Sequence, residues 1–347
     1  MQMKRFHRSV FVIALWLTFI VLTYQPVVFA QEGTLEKGEI TSPALENLIN
    51  DPVTRPFFIY LPPSYQTSDK RYPTVYVLHG FSGNARGPTS IRSTIDSMVQ
   101  NGNIGEMIFV FPDGSNRFGG SMYLSSETIG DYETYIVTDL VKHIEANYRT
   151  IAYRQSRGIT GFSMGGWGSM RFGLKYPETF SVVVAQAAPT DLDSDWWKYL
   201  SRNAALANPK DWGMYNKVSA FSQFVFAVSA GANPNPSAPP FFLDLTYKLA
   251  NGKAQVVPER WNKNVNVDTV NGLLDKYLNQ PVRLKGIKFV HGTSDSVVPV
   301  SQARTLDKVL TERSVAHVYV EHEWGHVFMP EESLQFLSDN LAFKVLP

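Results

Sequence analysis

The chain has 347 residues, of which 44% are hydrophobic and 18% charged, and its 32 Lys and Arg residues nearly balance 31 Asp and Glu residues. This composition excludes a disordered or repeat protein and suffices for one large α/β domain, with or without an insert. The balanced charge favours a small or neutral partner over nucleic acid or an anionic membrane surface. The absence of cysteine excludes disulfides, a thiolate nucleophile and a cysteine-based metal site.

Residues 1–30 have the pattern of a secretory signal peptide. Three basic residues precede an apolar stretch from Val10 to about Thr23, and Val28-Phe29-Ala30 fits a small-residue cleavage site imperfectly. The alternative is an uncleaved membrane anchor, for which the apolar stretch falls short of the usual ~20 residues. We therefore expect a periplasmic or extracellular bacterial protein whose main domain comprises residues 31–347.

Strand and helix patterns alternate after this segment. Tyr72–Leu78 is an almost continuous apolar run, as expected for a central strand covered on both faces, and Met107–Phe111 repeats the pattern. Pro56, near the start of the extended run Thr54–Leu61, favours an edge strand. From Asp131 to Tyr148, apolar residues recur at three- and four-residue steps and predict a helix. The alternation predicts an α/β fold, with a mostly parallel central sheet and helices on both faces.

Gly161-Phe162-Ser163-Met164-Gly165 is the most informative stretch of the chain. It lies between an extended run that begins at Ser156 and a helical run from Met164 onward, and a second apolar run, Phe180–Ala188, follows. This setting is typical of a nucleophile elbow, a sharp strand-to-helix turn that lifts the serine hydroxyl clear of the sheet. We interpret Ser163 as a nucleophile. The alternative is a glycine-rich structural turn with an unreactive serine.

Residues 189–284 interrupt the alternation and are predicted to form a helical or irregular insert before the penultimate strand. The segment is rich in aromatic residues and contains a Pro-rich loop, residues 233–240. Inserts at the carboxyl ends of parallel strands usually lie over the site, so we expect a lid or pocket wall. Most of the aromatic residues should form the insert's own core, and a few should line the pocket.

A serine nucleophile requires a histidine as its base and a carboxylate to orient that histidine. In hydrolases with such an elbow they follow in the order Ser, Asp, His. Asp295 follows the predicted strand Ile287–Val290, and His326 follows the strand-like run Val315–Glu321. We favour His326 because it lies in a Gly-His loop beyond a strand end. The alternatives are His79, His291 and His322.

The segment His322-Glu323-Trp324-Gly325-His326 also satisfies the HExxH pattern of zinc proteases. That motif binds zinc only on a helix, where both histidines share one face. A strand-like run precedes the segment directly and Gly325 falls inside it, which favours a loop. We therefore expect neither a metal nor another cofactor.

Five segments of the chain together match one known family: Tyr60-Leu61-Pro62-Pro63-Ser64-Tyr65, Tyr72-Pro73 leading to Leu78-His79-Gly80, Phe111-Pro112-Asp113-Gly114, Gly161 to Gly166, and Gly325-His326. From about Gly38 onward the chain resembles the esterase D and antigen 85 type of α/β-hydrolase. That family includes S-formylglutathione hydrolases, feruloyl and acetylxylan esterases and siderophore esterases. The match fades in the insert, and the absence of cysteine departs from the cytosolic S-formylglutathione branch.

The resemblance implies an α/β-hydrolase fold over residues 31–347 and a secreted serine esterase that works through an acyl-enzyme intermediate. Ser163 would attack the ester, His326 would act as the base, and Asp295 would orient His326. The substrate would be a small-molecule or polysaccharide-linked ester, with no nucleic acid partner and no membrane insertion after signal removal. The alternatives are an acyltransferase of the antigen 85 kind, a serine peptidase, and an inactive hydrolase-fold binding protein.

The resemblance further implies an oxyanion hole made by the backbone N–H groups of Phe81 and Met164. Two such donors would stabilise the tetrahedral intermediate. His79 is expected to brace the loop that carries Phe81, and Asp113 is expected to be a turn residue rather than a second catalytic acid.

Overall fold

Strands and helices alternate along the chain, as predicted. The computed structural model describes residues 32–266 and 270–344, so the predicted signal peptide, residues 1–30, lies outside the described residues. The strands in these ranges are β1 (Thr34–Thr41), β2 (Thr54–Leu61), β3 (Thr74–Leu78), β4 (Ile108–Pro112), β5 (Ser125–Ser126), β6 (Gly130–Asp131), β7 (Arg157–Phe162), β8 (Val182–Gln186), β9 (Tyr247–Ala250), β10 (Lys253–Val256), β11 (Gly286–Gly292) and β12 (Val318–His322).

The α-helices cover most of the remaining regular structure. They are α1 (Arg92–Gln100), α2 (Tyr132–Thr134), α3 (Val141–Asn147), α4 (Met164–Lys175), α5 (Asp195–Ala207), α6 (Trp212–Tyr215), α7 (Ala220–Ala232), α8 (Pro258–Asn266), α9 (Val270–Leu278), α10 (Ser301–Glu312) and α11 (Pro330–Asn340). A π-helical segment, Tyr135–Leu140, joins α2 to α3. Among the described residues, no helix is both long and apolar enough to cross a membrane.

Eight strands form one sheet in the order β1-β2-β4-β3-β7-β8-β11-β12. The pairs from β4 to β12 are parallel, whereas β1 with β2 and β2 with β4 are antiparallel. β3 is an inner strand, which confirms the prediction for Tyr72–Leu78. The edge-strand prediction for β2 is wrong, because β1 and β4 flank it. Pro56 is tolerated because β4 ends opposite Phe57, so that no residue of β4 pairs with Pro56.

Apolar side chains cover both faces of the sheet. On β3, Val75 and Val77 pack in a core that includes residues of α1 and α11, while Tyr76 and Leu78 pack in a core that includes residues of α4. This alternation follows from the two-residue period of a strand. Helices therefore lie on both faces, as the α/β prediction requires.

The segment between β8 and β11 contains helices α5 to α9 and the β9–β10 hairpin. It corresponds to the insert predicted over residues 189–284. Four of its aromatic rings, those of Trp212, Tyr215, Phe226 and Phe241, pack with centroid separations of 5.0 to 5.7 Å. Much of the aromatic content of the segment is thus used in its own packing.

Candidate active site

Ser163 forms the turn between β7, which ends at Phe162, and α4, which begins at Met164. Its φ of 56° and ψ of −118° are strained for a residue with a side chain. Its backbone N–H donates to the carbonyl oxygen of Gln186 at 2.8 Å, and its carbonyl oxygen accepts from the N–H of Trp167 at 3.0 Å. The turn is therefore held from both sides while the half-buried side chain projects from it.

Close backbone approach explains the two glycines that flank the serine. A Cβ on Gly165 would overlap the carbonyl oxygen of Leu78, and a Cβ on Gly161 would overlap the carbonyl oxygen of Gly165. The obstacle is backbone in both cases, which cannot move aside as a flexible side chain can. The elbow pattern in the sequence thus has a steric cause: α4 packs directly on β3 and β7.

Asp295 and His326 are joined by a hydrogen bond. Asp295 follows β11, and its Oδ2 accepts from His326 Nδ1 at 2.7 Å. Its Oδ1 accepts from the backbone N–H groups of Val297 and Val298, both at 2.8 Å. Because Nδ1 carries the proton of the neutral ring in this bond, Nε2 is left as the proton acceptor.

The buried Asp295 carboxylate is ionised at neutral pH. Burial raises the pKa of Asp295, but hydrogen bonds from His291, from His326 and from the backbone N–H of Val298 outweigh it and hold the pKa well below its usual range. A carboxyl whose pKa is lowered by folding stabilises the fold above its unfolded pKa. This stabilisation declines as the pH falls below the unfolded pKa and is gone once the pH has fallen through the lowered value.

His326 and Ser163 line the same cavity. The His326 ring packs against the ring of Phe162, the residue before the serine, with 4.5 Å between ring centroids. Within the described ranges, no hydrogen bond links Ser163 Oγ to His326. Such bonds are often long in ligand-free enzymes and tighten when substrate binds. The structure thus brings together the side chains of Ser163, Asp295 and His326 at the carboxyl ends of β7, β11 and β12.

The backbone N–H groups of Phe81 and Met164 lie at the same end of the sheet. Met164 is the first residue of α4, where N–H groups have no partner within the helix and the helix dipole is positive. Neither N–H donates to an acceptor among the residues that the structure describes. The Phe81 loop passes beside the elbow, since a Cβ on Gly80 would lie 3.5 Å from the Cβ of Ser163.

The alternative histidines occupy other positions. His79 donates from Nδ1 to the carbonyl oxygen of Gly80 at 2.8 Å and accepts at Nε2 from the N–H of Gly114 at 2.8 Å, so both ring nitrogens hold the loop that carries Phe81. His291 is buried, and its Nε2–H is shared between the carbonyl oxygen of Val298 at 2.8 Å and Asp295 Oδ2 at 3.4 Å, so this ring supports the orienting carboxylate and does not line the cavity.

Asp113 accepts from the backbone N–H of Ser115 at 2.8 Å, as a turn residue does. Its Oδ1 also lies 3.6 Å from His79 Nε2.

The HExxH segment is not helical. His322 is the last residue of β12, and the segment from Glu323 to His326 is a loop. The two histidines therefore do not share a helix face, which the zinc motif requires. His322 Nε2 lies 3.6 Å from Glu332 Oε1, on the side of α11.

The cavity next to Ser163 has a volume of about 400 Å³ and an apolar wall. Three aromatic residues of the insert line it together with Phe81 and two valines of the Asp295 loop. The lining residues are Gly80, Phe81, Ser82, Phe162, Ser163, Trp196, Ala220, Phe221, Phe224, Val297, Val298 and His326. Apart from the imidazole of His326, no ionisable side chain of the described chain is among them.

Gln186 is a residue of this region that the sequence analysis missed. It is the last residue of β8 and is 1% exposed. Its side chain hydrogen-bonds the backbone of Met329, three residues after His326. The sequence feature that could have identified it is a polar residue within the largely apolar run Phe180–Ala188. In the sheet, this residue pairs with Phe162, directly before the elbow serine.

Comparison with models of known protein families identifies the family of this chain. The family model described as "Putative esterase" matches residues 52–326, which is well over half of the chain. The chain belongs to this esterase family. The match ends at His326, so it includes Ser163 and Asp295 as well.

Curated relatives of the chain align over shorter stretches. An esterase of Mycobacterium tuberculosis is 33% identical over 142 residues, which is 40% of this chain and 30% of the relative. An endo-1,4-beta-xylanase/feruloyl esterase of Xylanibacter ruminicola is 28% identical over 132 residues, which is 35% of this chain and 18% of the relative. The chain thus spans less than a third of the length of these two relatives.

Solved structures match over most of the chain. A ferulic acid esterase superposes with a TM-score of 0.57 at 20% identity, covering 90% of this chain and 100% of that chain. An S-formylglutathione hydrolase from Agrobacterium tumefaciens superposes with a TM-score of 0.58 at 17% identity, covering 90% of this chain and 98% of that chain. At these identities the likeness concerns the fold, and it confirms the predicted α/β-hydrolase fold.

Proposed function

We propose that this esterase-family protein hydrolyses carboxylic esters of uncharged, apolar acyl groups, with Ser163 as nucleophile, His326 as general base and Asp295 as orienting acid. The observation that carries the proposal is the Asp295–His326 hydrogen bond of 2.7 Å, which turns His326 Nε2 away from the carboxylate in the cavity that Ser163 lines. Membership of the family supports the reaction class.

The proposed reaction has two halves. His326 Nε2 takes the proton of Ser163 Oγ as this oxygen attacks the ester carbonyl, and the N–H groups of Phe81 and Met164 stabilise the resulting oxyanion. The intermediate expels the alcohol, which receives the proton from His326, and leaves an acyl group on Ser163. A water molecule, deprotonated by His326, then hydrolyses this acyl-enzyme.

The cavity wall supports the choice of acyl group. A charged acyl group would lose its hydration among Trp196, Phe221 and Phe224 without gaining a partner, because the described wall has no ionisable side chain besides His326, which must be neutral to act as the base. An uncharged alkyl or aryl group of moderate size fits a cavity of about 400 Å³.

This preference is tested with two p-nitrophenyl esters that have acyl chains of equal length, the butyrate and the hemisuccinate. We expect kcat/KM to be lower for the hemisuccinate by at least about 100-fold, which corresponds to about 3 kcal/mol for an unpaired charge at the wall. The measurement is initial-rate kinetics on both esters at the same pH. Equal kcat/KM values would contradict the proposed acyl preference, and no hydrolysis of either ester would contradict the esterase function.

The role of Asp295 is tested by Asp295→Asn. We expect kcat to fall by about 10⁴-fold, as in the analogous protease, because the amide no longer holds the required tautomer of His326 or stabilises its charged form. Asp96→Asn is the matched control: Asp96 is equally buried and also accepts a backbone N–H, that of Gly33 at 2.8 Å. It should keep the kcat of the wild type. A near-normal kcat for Asp295→Asn would show that the acid is misassigned.

We also propose that the protein is exported to the periplasm or the medium. This proposal rests on the signal-peptide pattern of residues 1–30.

A further inference from the structure

We propose that Gln186 is a positioning residue that fixes the His326 loop relative to Ser163. The inference rests on the proposed function, since it concerns how the base is held beside the nucleophile. Gln186 ends β8, between β7 and β11 in the sheet, where it pairs with Phe162 on one side and with Val290 on the other. This position places it next to the elbow and next to the strand that leads to Asp295.

The backbone of Gln186 holds the nucleophile. Its carbonyl oxygen accepts from the N–H of Ser163 at 2.8 Å. A Cβ on Gly166 would overlap the same carbonyl oxygen, so α4 and the end of β8 are in direct contact. Ser163 and Gln186 therefore form one rigid unit at the carboxyl edge of the sheet.

The side chain of Gln186 holds the histidine loop. Oε1 accepts from the backbone N–H of Met329 at 2.8 Å, and Nε2 donates to the backbone carbonyl oxygen of Met329 at 2.7 Å. Nε2 also donates to Ser333 Oγ in α11 at 2.6 Å. The oxygen and the nitrogen of the buried Gln186 amide thus bind the backbone N–H and the carbonyl oxygen of Met329. These two bonds fix the distance and the orientation of the His326 loop relative to β8.

The His326 ring itself is held by Asp295 and by Phe162. The ring of Phe328 also packs against Phe162, with 5.9 Å between centroids, so the remaining question is how the loop backbone is held. Before His326, the carbonyl oxygen of Trp324 accepts from the N–H of Ser294 at 3.1 Å. After it, Val327 is 48% exposed, and the Gln186 amide is the anchor at Met329, where the loop meets α11. Loss of this anchor would let His326 shift, and a displacement of about 1 Å can lower a rate by about 10²-fold.

A purely structural role would have a different signature. A buried side-chain amide contributes to the free energy of unfolding through its hydrogen bonds. Replacing the amide leaves the backbone groups that it bound without a hydrogen-bond partner, which destabilises the folded state. That loss of stability lowers the fraction of folded protein and leaves each folded molecule as active as before. The rate per active site, rather than the total rate, separates positioning from structure.

Gln302 provides a matched control within the chain. It is also 1% exposed, its Oε1 accepts from the backbone N–H of Asp191 at 2.6 Å, and its Nε2 contacts the carbonyl oxygen of Asp191 at 3.3 Å and Ser194 Oγ at 3.0 Å. The same set of contacts is therefore made to a segment that does not carry His326. Gln302→Leu should cost a similar amount of stability as Gln186→Leu.

The experiment compares wild type, Gln186→Leu and Gln302→Leu with p-nitrophenyl acetate, with active sites counted by fluorophosphonate titration taken to completion. We expect Gln186→Leu to lower kcat per titrated site by about 100-fold with little change in KM, and Gln302→Leu to keep the wild-type kcat per titrated site. If Gln186→Leu does not fold, Gln186→Met removes the same hydrogen bonds with a more adaptable side chain.

One outcome would overturn the positioning role of Gln186, and another would overturn the proposed function. A wild-type kcat per titrated site in the Gln186 variant, with only its melting temperature lowered, would make Gln186 structural and leave the proposed function intact. A wild-type protein that neither hydrolyses the ester nor reacts with the phosphonate would overturn the proposed function itself, and with it this inference.

Discussion

Ser163→Ala should abolish ester hydrolysis, with kcat lower by about 10⁶-fold, the loss seen when the nucleophile of an analogous hydrolase is removed. The hydroxyl is the only group of the proposed site that forms a bond to the substrate. Alanine adopts the φ of 56° at a cost similar to that of serine, so the substitution should leave the turn in place. Kinetics with p-nitrophenyl acetate, together with the melting temperature, measure the two effects separately.

Ser169→Ala is the control for this substitution. Ser169 lies in α4, the helix that follows Ser163, is fully buried, and donates from Oγ to the carbonyl oxygen of Gly165 at 2.7 Å. Its replacement should reduce stability modestly and keep the activity. Hydrolysis at the wild-type rate in Ser163→Ala would contradict the assignment of the nucleophile, whatever the stability of the variant.

His326→Ala should be nearly as damaging as Ser163→Ala, whereas His322→Ala should retain most of the activity. His326 is the base that the Asp295 hydrogen bond orients, and a hydroxyl without its base is a poor nucleophile. His322 ends β12 and its Nε2 lies near Glu332 rather than near the serine. Initial rates of both variants with one ester make the comparison.

The same pair of variants separates the esterase from a zinc hydrolase. If His322 and His326 bound zinc, both substitutions would be equally severe, prolonged chelation would remove activity and added zinc would restore it. We expect chelation to leave the rate unchanged. Metal-dependent activity with both histidines essential would overturn the serine-hydrolase account.

Local sequence patterns predict the core of the fold and the elbow because the forces behind them are local. The apolar run Tyr72–Leu78 predicts an inner strand since both faces must be covered, and β3 is one. Gly161 and Gly165 predict the elbow because a Cβ at either position would overlap backbone. Chain order and a loop position select Asp295 and His326, which the structure joins by a hydrogen bond.

The features that the sequence did not reveal depend on distant contacts. Pro56 favours an edge strand, but the edge strand of the sheet is β1. No local pattern within β2 reveals that β1 pairs with it. Gln186 contacts Met329 at a separation of 143 residues, so its role is invisible without the fold. The aromatic insert suggests a pocket wall, but only tertiary packing decides that Trp196 lines the cavity while Trp212 packs against Phe241 and Phe118.

We propose Ser163 as the activated nucleophile of this esterase-family protein. Reaction of the full-length protein with a fluorophosphonate, followed by mass spectrometry of the proteolytic peptides, tests this claim most directly, because only a serine activated by a base reacts rapidly with this reagent. We predict one phosphonyl group per chain, attached to Ser163. An adduct on another residue, or hydrolysis that continues after Ser163 has been fully modified, would contradict the claim.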